Sequence, residues 1–330
     1  MKDPFAIKFW GVRGSYPVAG ASVLRFGGNT PSVEIQAGGQ TVVLDAGTGA
    51  IGLGRDLTRR ARQEGRAVSA TIFFSHMHHD HTQGIPFFDP LRDPASRLNL
   101  VAPAYLADNA NTNISAVMSP PAFPIRWHST PATKNLYAMR EDQAVVLGEP
   151  KQDIELLDGN AQRLDPYGHV QIRALFSAAH PGGVFFYRID WRGRSVVYAS
   201  DTEGSDQADP ALVAFAQHAD VLIHDAQYSG EHYSGNADGL PSTRGWGHST
   251  PEMACAVAEA AHVGQLILFH HEPTYDDDKL AEIEREARTE FCATRMAFEG
   301  LEITLEPQPA TDPLRSSAAH RSVVAPGPLR

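Results

Sequence analysis

The sequence predicts an α/β chain in which two β-sheets pack against each other with helices on the outside. Short apolar runs with strand character recur in two groups, and each group is followed by helical patterning. The chain has 330 residues, 42% hydrophobic and 20% charged, enough for one layered unit with a large core.

Taken in order, PFAIKFW (4–10), SVEIQ (32–36) and TVVLD (41–45) read as strands, with Gly38 and Gly39 as the hairpin turn between the last two. A helix follows Gly49 through about residue 64, and ATIFF (70–74) is a buried strand. Residues 102–150 read as irregular. A polar helix is expected near 105–118, and proline-punctuated SPPAFPIRW (119–127) reads as loop, so that Trp127 and His128 would sit in a lid over a pocket. Strands resume at HVQIRALF (169–176), GVFFYRID (183–190) and SVVYAS (195–200). VLIHDA (221–226) is followed by a helix at 250–263, QLILFH (265–270) by one at 277–292, and LEITL (301–305) is the last strand. One domain therefore spans 1–306, and the Pro-, Ala-, Ser- and Arg-rich stretch 307–330 reads as a flexible tail.

The formal net charge is −11, from 28 basic and 39 acidic residues, with no Lys/Arg cluster of the kind a polyphosphate backbone needs. This leads to the expectation that no long nucleic acid is a partner. Two cysteines, Cys255 and Cys292, imply no disulfide framework and favour a cytoplasmic setting. No leader-like or membrane-spanning apolar run is visible, so no membrane partner is expected. A homodimer is compatible with the composition.

The chemistry concentrates in FFSHMHHDHTQG (73–84). His76 and His78 lie two apart after a strand, where extended backbone points both the same way. Asp80 and His81 follow in a turn that can wrap a metal. Further candidates end other strands: His180, Asp201 and His270. Together they supply two ligand sets, His76, His78 and His180 for one ion and Asp80, His81 and His270 for another, with Asp201 as a bridge. Such a pair of ions shares a hydroxide that is nucleophilic at neutral pH. The all-N/O ligation points to two divalent transition-metal ions per chain, zinc first, with manganese or iron compatible.

Other polar residues have plainer readings. His79 and His271 adjoin ligands but point elsewhere on an extended chain. His224 reads as a packed core histidine, and His232 and Tyr233 as loop surface. The acidic run DDDKLAEIERE (276–286) reads as a solvated helix.

On SHMHHDH (75–81), LDAGTG (44–49), His180 in SAAHPGG, Asp201 in ASDTEG and His270 in LFHHEP, the chain resembles the metallo-β-lactamase superfamily. The resemblance implies an αββα four-layer sandwich with a dinuclear site at the edge shared by both sheets. Asp45 is similar to an aspartate that orients ligands. GWGHST (245–250) with VLIHDAQY (221–228) resembles the ribonuclease Z-like phosphodiesterases, which implies that His248 sits by the scissile phosphate and that Asp225 orients it. FWGVRGSYP (9–17) and FGGNT (26–30) resemble bacterial proteins of the cyclic-nucleotide and other small-phosphodiesterase branch.

The expected function is hydrolysis of small phosphodiesters, with Asp80, His248 and Asp225 as the catalytic residues. Asp80 would both ligate an ion and accept a hydrogen bond from the nucleophile. Only residues 181–200 separate His180 from Asp201, too few for the long arm with which the tRNA-processing members grip tRNA. This favours a small substrate. The alternatives are a carboxylic ester, thioester or lactone hydrolase on the same metal frame, and a metal-binding regulatory protein without turnover.

Overall fold

A computed structural model describes residues 5–106, 114–148, 154–159, 168–205, 208–237 and 239–308. Its first strands are β1 (Phe5–Gly11), β2 (Ser32–Ala37), β3 (Gln40–Leu44), β4 (Ser69–Phe73), β5 (Arg97–Pro103), β6 (Thr133–Met139), β7 (Gln143–Leu147) and β8 (Glu155–Asp158). The second half adds β9 (Val170–Ser177), β10 (Val184–Trp191), β11 (Arg194–Ala199), β12 (Val221–Asp225), β13 (Gln265–Phe269), β14 (Thr294–Met296) and β15 (Glu302–Leu305). They form a seven-stranded sheet, β15-β1-β2-β3-β4-β5-β6, and an eight-stranded sheet, β14-β13-β12-β11-β10-β9-β7-β8.

Helices among the described residues include α1 (Gly49–Gln63), α2 (His79–Thr82), α3 (Pro210–Ala216), α4 (Gly230–Ser234), α5 (Pro251–Ala260) and α6 (Asp277–Glu290), and residues 114–117 are helical as well. None of the described helices is long and apolar enough to cross a membrane.

Side-chain alternation makes the layers. In β3, Val42 and Leu44 enter the core between the sheets, while Val43 joins the outer cluster with Leu53 and Leu57 of α1. In β12, Val221 and Ile223 face inward, while Leu222 packs outward with Ala254 of α5 and Ile283 of α6. Both faces of each central strand are covered, so these strands read as unbroken apolar runs. This is the expected αββα sandwich. The β2–β3 hairpin turns through Gly38 and Gly39 at φ 56° and 74°, both in the left-handed region that a tight two-residue turn requires.

The topology gathers the functional strand ends. β3, β4, β5 and β6 run parallel, as do β11, β12, β13 and β14. Asp45, His76, Asp201, Asp225 and His270 all lie within or just after the C-terminal ends of β3, β4, β11, β12 and β13. Open α/β sheets place their sites at such ends.

The reading of 102–150 as irregular needs correction, because β6 and β7 extend one sheet each. β6, TKNLYAM, is an edge strand on which only Tyr137 and Met139 reach the core between the sheets, too short an alternation to detect. Trp127 is buried in the outer core beside Leu91 and Leu98. His232 and Tyr233 are not loop surface either. They are buried in α4, which Ser229 caps by accepting from His232 N and Gly235 closes at φ 77°. Residues 107–113 of the expected 105–118 helix, and 309–330 of the tail, lie outside the described residues.

Candidate metal centre

The short helix α2 turns the chain right after β4, so that His76, His78, Asp80 and His81 converge instead of diverging along an extended strand. Two donor groups result, His76–His78–His180 and Asp80–His81–Asp201–His270, each with its ligand atoms within 4.8 Å of one another. His78 Nδ1 lies 2.9 Å from His180 Nε2, and His81 Nε2 lies 3.3 Å from His270 Nε2. Asp201 spans the groups. Its Oδ1 is 3.2 Å from His81 Nε2 and 3.4 Å from His270 Nε2, while its Oδ2 is 3.7 Å from His76 Nε2 and 3.8 Å from His180 Nε2. Asp80 Oδ2 completes the second group, 3.2 Å from His270 Nε2.

The far side of most rings is already committed. Asp45 Oδ2 meets His81 Nδ1 at 2.8 Å, and the same oxygen accepts from Tyr198 OH and Ser75 Oγ. Ser75 Oγ in turn meets His76 Nδ1 at 3.0 Å, and Gly247 O accepts from His180 Nδ1 at 2.9 Å. With Nδ1 occupied, the neutral form of each ring carries its Nε2 lone pair on the side of the cluster. His76 Nε2 is buried and has no hydrogen-bond partner, so it is a nitrogen that a cation would satisfy. The donor set therefore fits divalent metals.

The electrostatics agree. Burial lowers the pKa of His76, His78 and His180, keeping them neutral and able to donate. Burial also opposes charge on Asp80 and Asp201, yet the facing histidines hold both well below the usual carboxylate range. Against burial, Asp201, Asp80 and Asp45 raise His81 well above its ordinary value. Three carboxylates around one imidazole make a negative focus suited to cations. Asp45, Asp201 and His270 all adopt φ near 60°, at 59°, 57° and 62°. Such strain in non-glycine residues gathers at functional sites.

His248 stands beside both groups. Its ring stacks on His270 with centroids 5.0 Å apart, and its Nδ1 meets Asp225 Oδ2 at 2.7 Å. Burial disfavours the imidazolium, but Asp225, together with Asp201 and Asp80, raises His248 to about 9. His248 also falls within ligand distance of His180 and Asp201, so geometry alone leaves it as either a ligand or a proton donor. Asp225 is fully buried and accepts from the backbone N–H of Gln227, Ser249 and Thr202 as well.

His79 is exposed, whereas His224 and His271 are buried and turned to backbone carbonyls of Asp225 and Ala297.

Sequence reasoning missed Gln227. Its Oε1 meets His270 Nδ1 at 3.0 Å, and its Nε2 donates to Glu272 Oε2 at 3.0 Å and Ser15 Oγ at 3.2 Å. A carboxylate only accepts, so Glu272 fixes which end of the amide faces it. Gln227 Oε1 then requires a proton on His270 Nδ1 and leaves Nε2 free for the cluster. Ser15 N also donates to Asp80 Oδ2 at 2.8 Å, tying the 13–17 loop to the same group. Gln227→Leu is expected to weaken ion binding at the Asp80–His81–His270 group by about 10- to 100-fold. Metal titration checks this; two unchanged affinities would remove Gln227 from the site. The only sequence signal was its position two residues after Asp225.

Residues 40–271 match the family described as the beta-lactamase superfamily domain. The chain is 24% identical to ribonuclease Z of Picrophilus torridus, over 93% of this chain and 97% of the relative. It is 25% identical to ribonuclease Z of Bacillus subtilis, over 71% of this chain and 80% of that one. Among solved structures, the metallo-beta-lactamase fold protein YhfI from Bacillus subtilis superposes with a TM-score of 0.62 at 20% identity, covering 92% of this chain and all of that one. The short form of human tRNase Z superposes with a TM-score of 0.56 at 21% identity, covering 91% and 99%. These relatives overturn the expectation that no long nucleic acid is a partner, because they are nucleases of RNA by name. Net charge was the wrong quantity: distant surface charges are screened within about a Debye length of ~10 Å, and the local field at the site decides.

Proposed function

This chain belongs to the beta-lactamase superfamily, and we propose that it is a metal-dependent hydrolase of phosphodiesters. The observation that carries the reading is Asp201, whose two oxygens face the two donor groups while the His248–Asp225 pair stands beside them. His76, His78 and His180 would hold one ion, Asp80, His81 and His270 the other, and Asp201 would reach both. Zinc suits these imidazole and carboxylate donors, and manganese is compatible. Bound divalent ions supply a nucleophile from water at neutral pH and neutralise charge on phosphoryl oxygens.

The chain's own residues do the rest. Asp45, Gln227 and Gly247 O hold ligand rings in one tautomer, and Ser15 N keeps Asp80 Oδ2 aimed at His270. His248, supported by Asp225, offers a proton to the leaving oxygen or a positive contact to the phosphoryl group. Ribonuclease Z among the relatives supports diester chemistry.

The test is a panel on protein loaded with zinc or manganese: a precursor tRNA, a dinucleotide, a cyclic nucleotide, a bis-aryl phosphate, a lactone and a thioester. Diesters are expected to turn over and chelation to abolish it. Lactone or thioester turnover far above every diester would sink the assignment.

A further inference from the structure

We propose that Trp246 is a stacking platform for a nucleobase of the substrate, so that the site takes nucleoside-bearing phosphodiesters. The inference rests on the phosphodiesterase reading above and adds the group recognised beside the phosphate.

Trp246 lies in GWGHST, two residues before His248. Its ring is the outermost member of a row that starts at the donor groups. His270 stacks on His248 at 5.0 Å, Tyr228 lies 5.9 Å from His248, and Trp246 lies 6.4 Å from Tyr228. Burial changes sharply along the row: His270, His248 and Tyr228 are buried, whereas Trp246 is 53% exposed. The other tryptophans are covered, Trp127 at 6% and Trp191 at 2% exposure, with Trp10 half-buried.

Single exposed aromatics are ordinary on protein surfaces. What sets this one apart is how firmly its loop is held. Glu203 takes Gly245 N on one carboxylate oxygen at 2.7 Å and Gly247 N on the other at 2.8 Å, so the two amides flanking Trp246 are both tied to it. Tyr233 OH donates to the same carboxylate at 2.8 Å, and Trp246 N donates to Thr243 O at 3.1 Å. Gly247 at φ 88° lies against His180, where an added Cβ would stand 2.5 Å from the ring nitrogen and from Pro181 Cδ. Its carbonyl holds the Nδ1 of that same ligand. The loop is thus registered directly on the metal centre, and the indole projects from it into solvent.

A rigid, exposed, flat side chain loses little conformational entropy when another flat ring covers it. Nucleobases stack on such side chains with little regard to sequence. In this reading the phosphate sits by His248, and a base of the substrate covers Trp246 at the exposed end of the row.

The experiment titrates the metal-loaded protein with adenosine 5′-monophosphate and with ribose 5-phosphate, which differ only in the base, while tryptophan emission is followed. The nucleotide is expected to bind more tightly and to quench emission, and ribose 5-phosphate to leave it unquenched. Trp246→Phe should keep the preference without the quench, and Trp246→Ala should reduce it by roughly five- to one-hundredfold. A preference within twofold of wild type in Trp246→Ala, or no nucleotide binding at all, overturns the platform. The KM ratio between a dinucleotide and its abasic counterpart should fall to the same extent in that variant. If diesters are cleaved but this ratio does not move, the platform fails and the hydrolase reading stands. If no diester is cleaved but the binding preference disappears in Trp246→Ala, the platform stands and the hydrolase reading fails.

Discussion

Asp201→Ala is expected to remove diester turnover by about 10³-fold or more and to cut metal retention at both donor groups. Asp201 would be a ligand to both ions, and each ion would supply several kcal/mol of charge stabilisation. The expectation follows from the side chain's reach, with Oδ1 toward His81 and His270 and Oδ2 toward His76 and His180. Asp201→Asn separates charge from shape. Asparagine tolerates the left-handed backbone that Asp201 occupies at φ 57°, so a folded Asn variant that has lost metal isolates the missing charge. The measurements are metal analysis after dialysis and turnover of a dinucleotide. Two ions retained at near-wild-type affinity in Asp201→Ala would exclude the bridge.

His248→Ala is expected to keep both ions and lower turnover of diesters with poor leaving groups by about 10²- to 10⁴-fold. A nitrophenyl diester leaves with little need of a proton and should lose less. Equal losses on both substrates would assign His248 to contact with the phosphoryl oxygens instead. Metal analysis of the same variant decides the other question the geometry raises, since His248 also lies within ligand distance of His180 and Asp201. Loss of an ion would move His248 into the ligand set. Full occupancy with near-wild-type turnover on a poor-leaving-group diester would end its catalytic role. Asp225→Asn is a less clean probe than the sequence suggests. Besides His248, Asp225 accepts three backbone N–H groups, so an amide there would set its own N–H₂ against donors and disturb the loops around residues 202, 227 and 249.

The candidate site was largely legible in the sequence because ligands of a polar, charged type stand out at the ends of apolar strands. His76, His78, Asp80 and His81 are consecutive enough to be recognised alone, and His180, Asp201 and His270 mark the ends of three later runs. The central strands were legible for the same reason, since strands covered on both faces are apolar throughout. β6 and β14 were not. The first is a solvent-facing edge and the second has three residues, so neither carries a periodic signal.

The chain by itself determined the kind of chemistry, because donor identity and spacing belong to the residues. It also required both faces of the central strands to be covered, because those strands are apolar throughout. Tertiary structure alone decided which oxygen of Asp201 faces which group, and which residues aim the rings. Gln227, Glu203 and Ser15 act through hydrogen bonds spanning many residues, from Ser15 to Asp80 and from Glu203 to Gly247, and nothing local marks them as partners. The substrate's size was likewise outside the reach of net charge, because recognition depends on the field and surfaces at one mouth of the fold rather than on the sum over the chain.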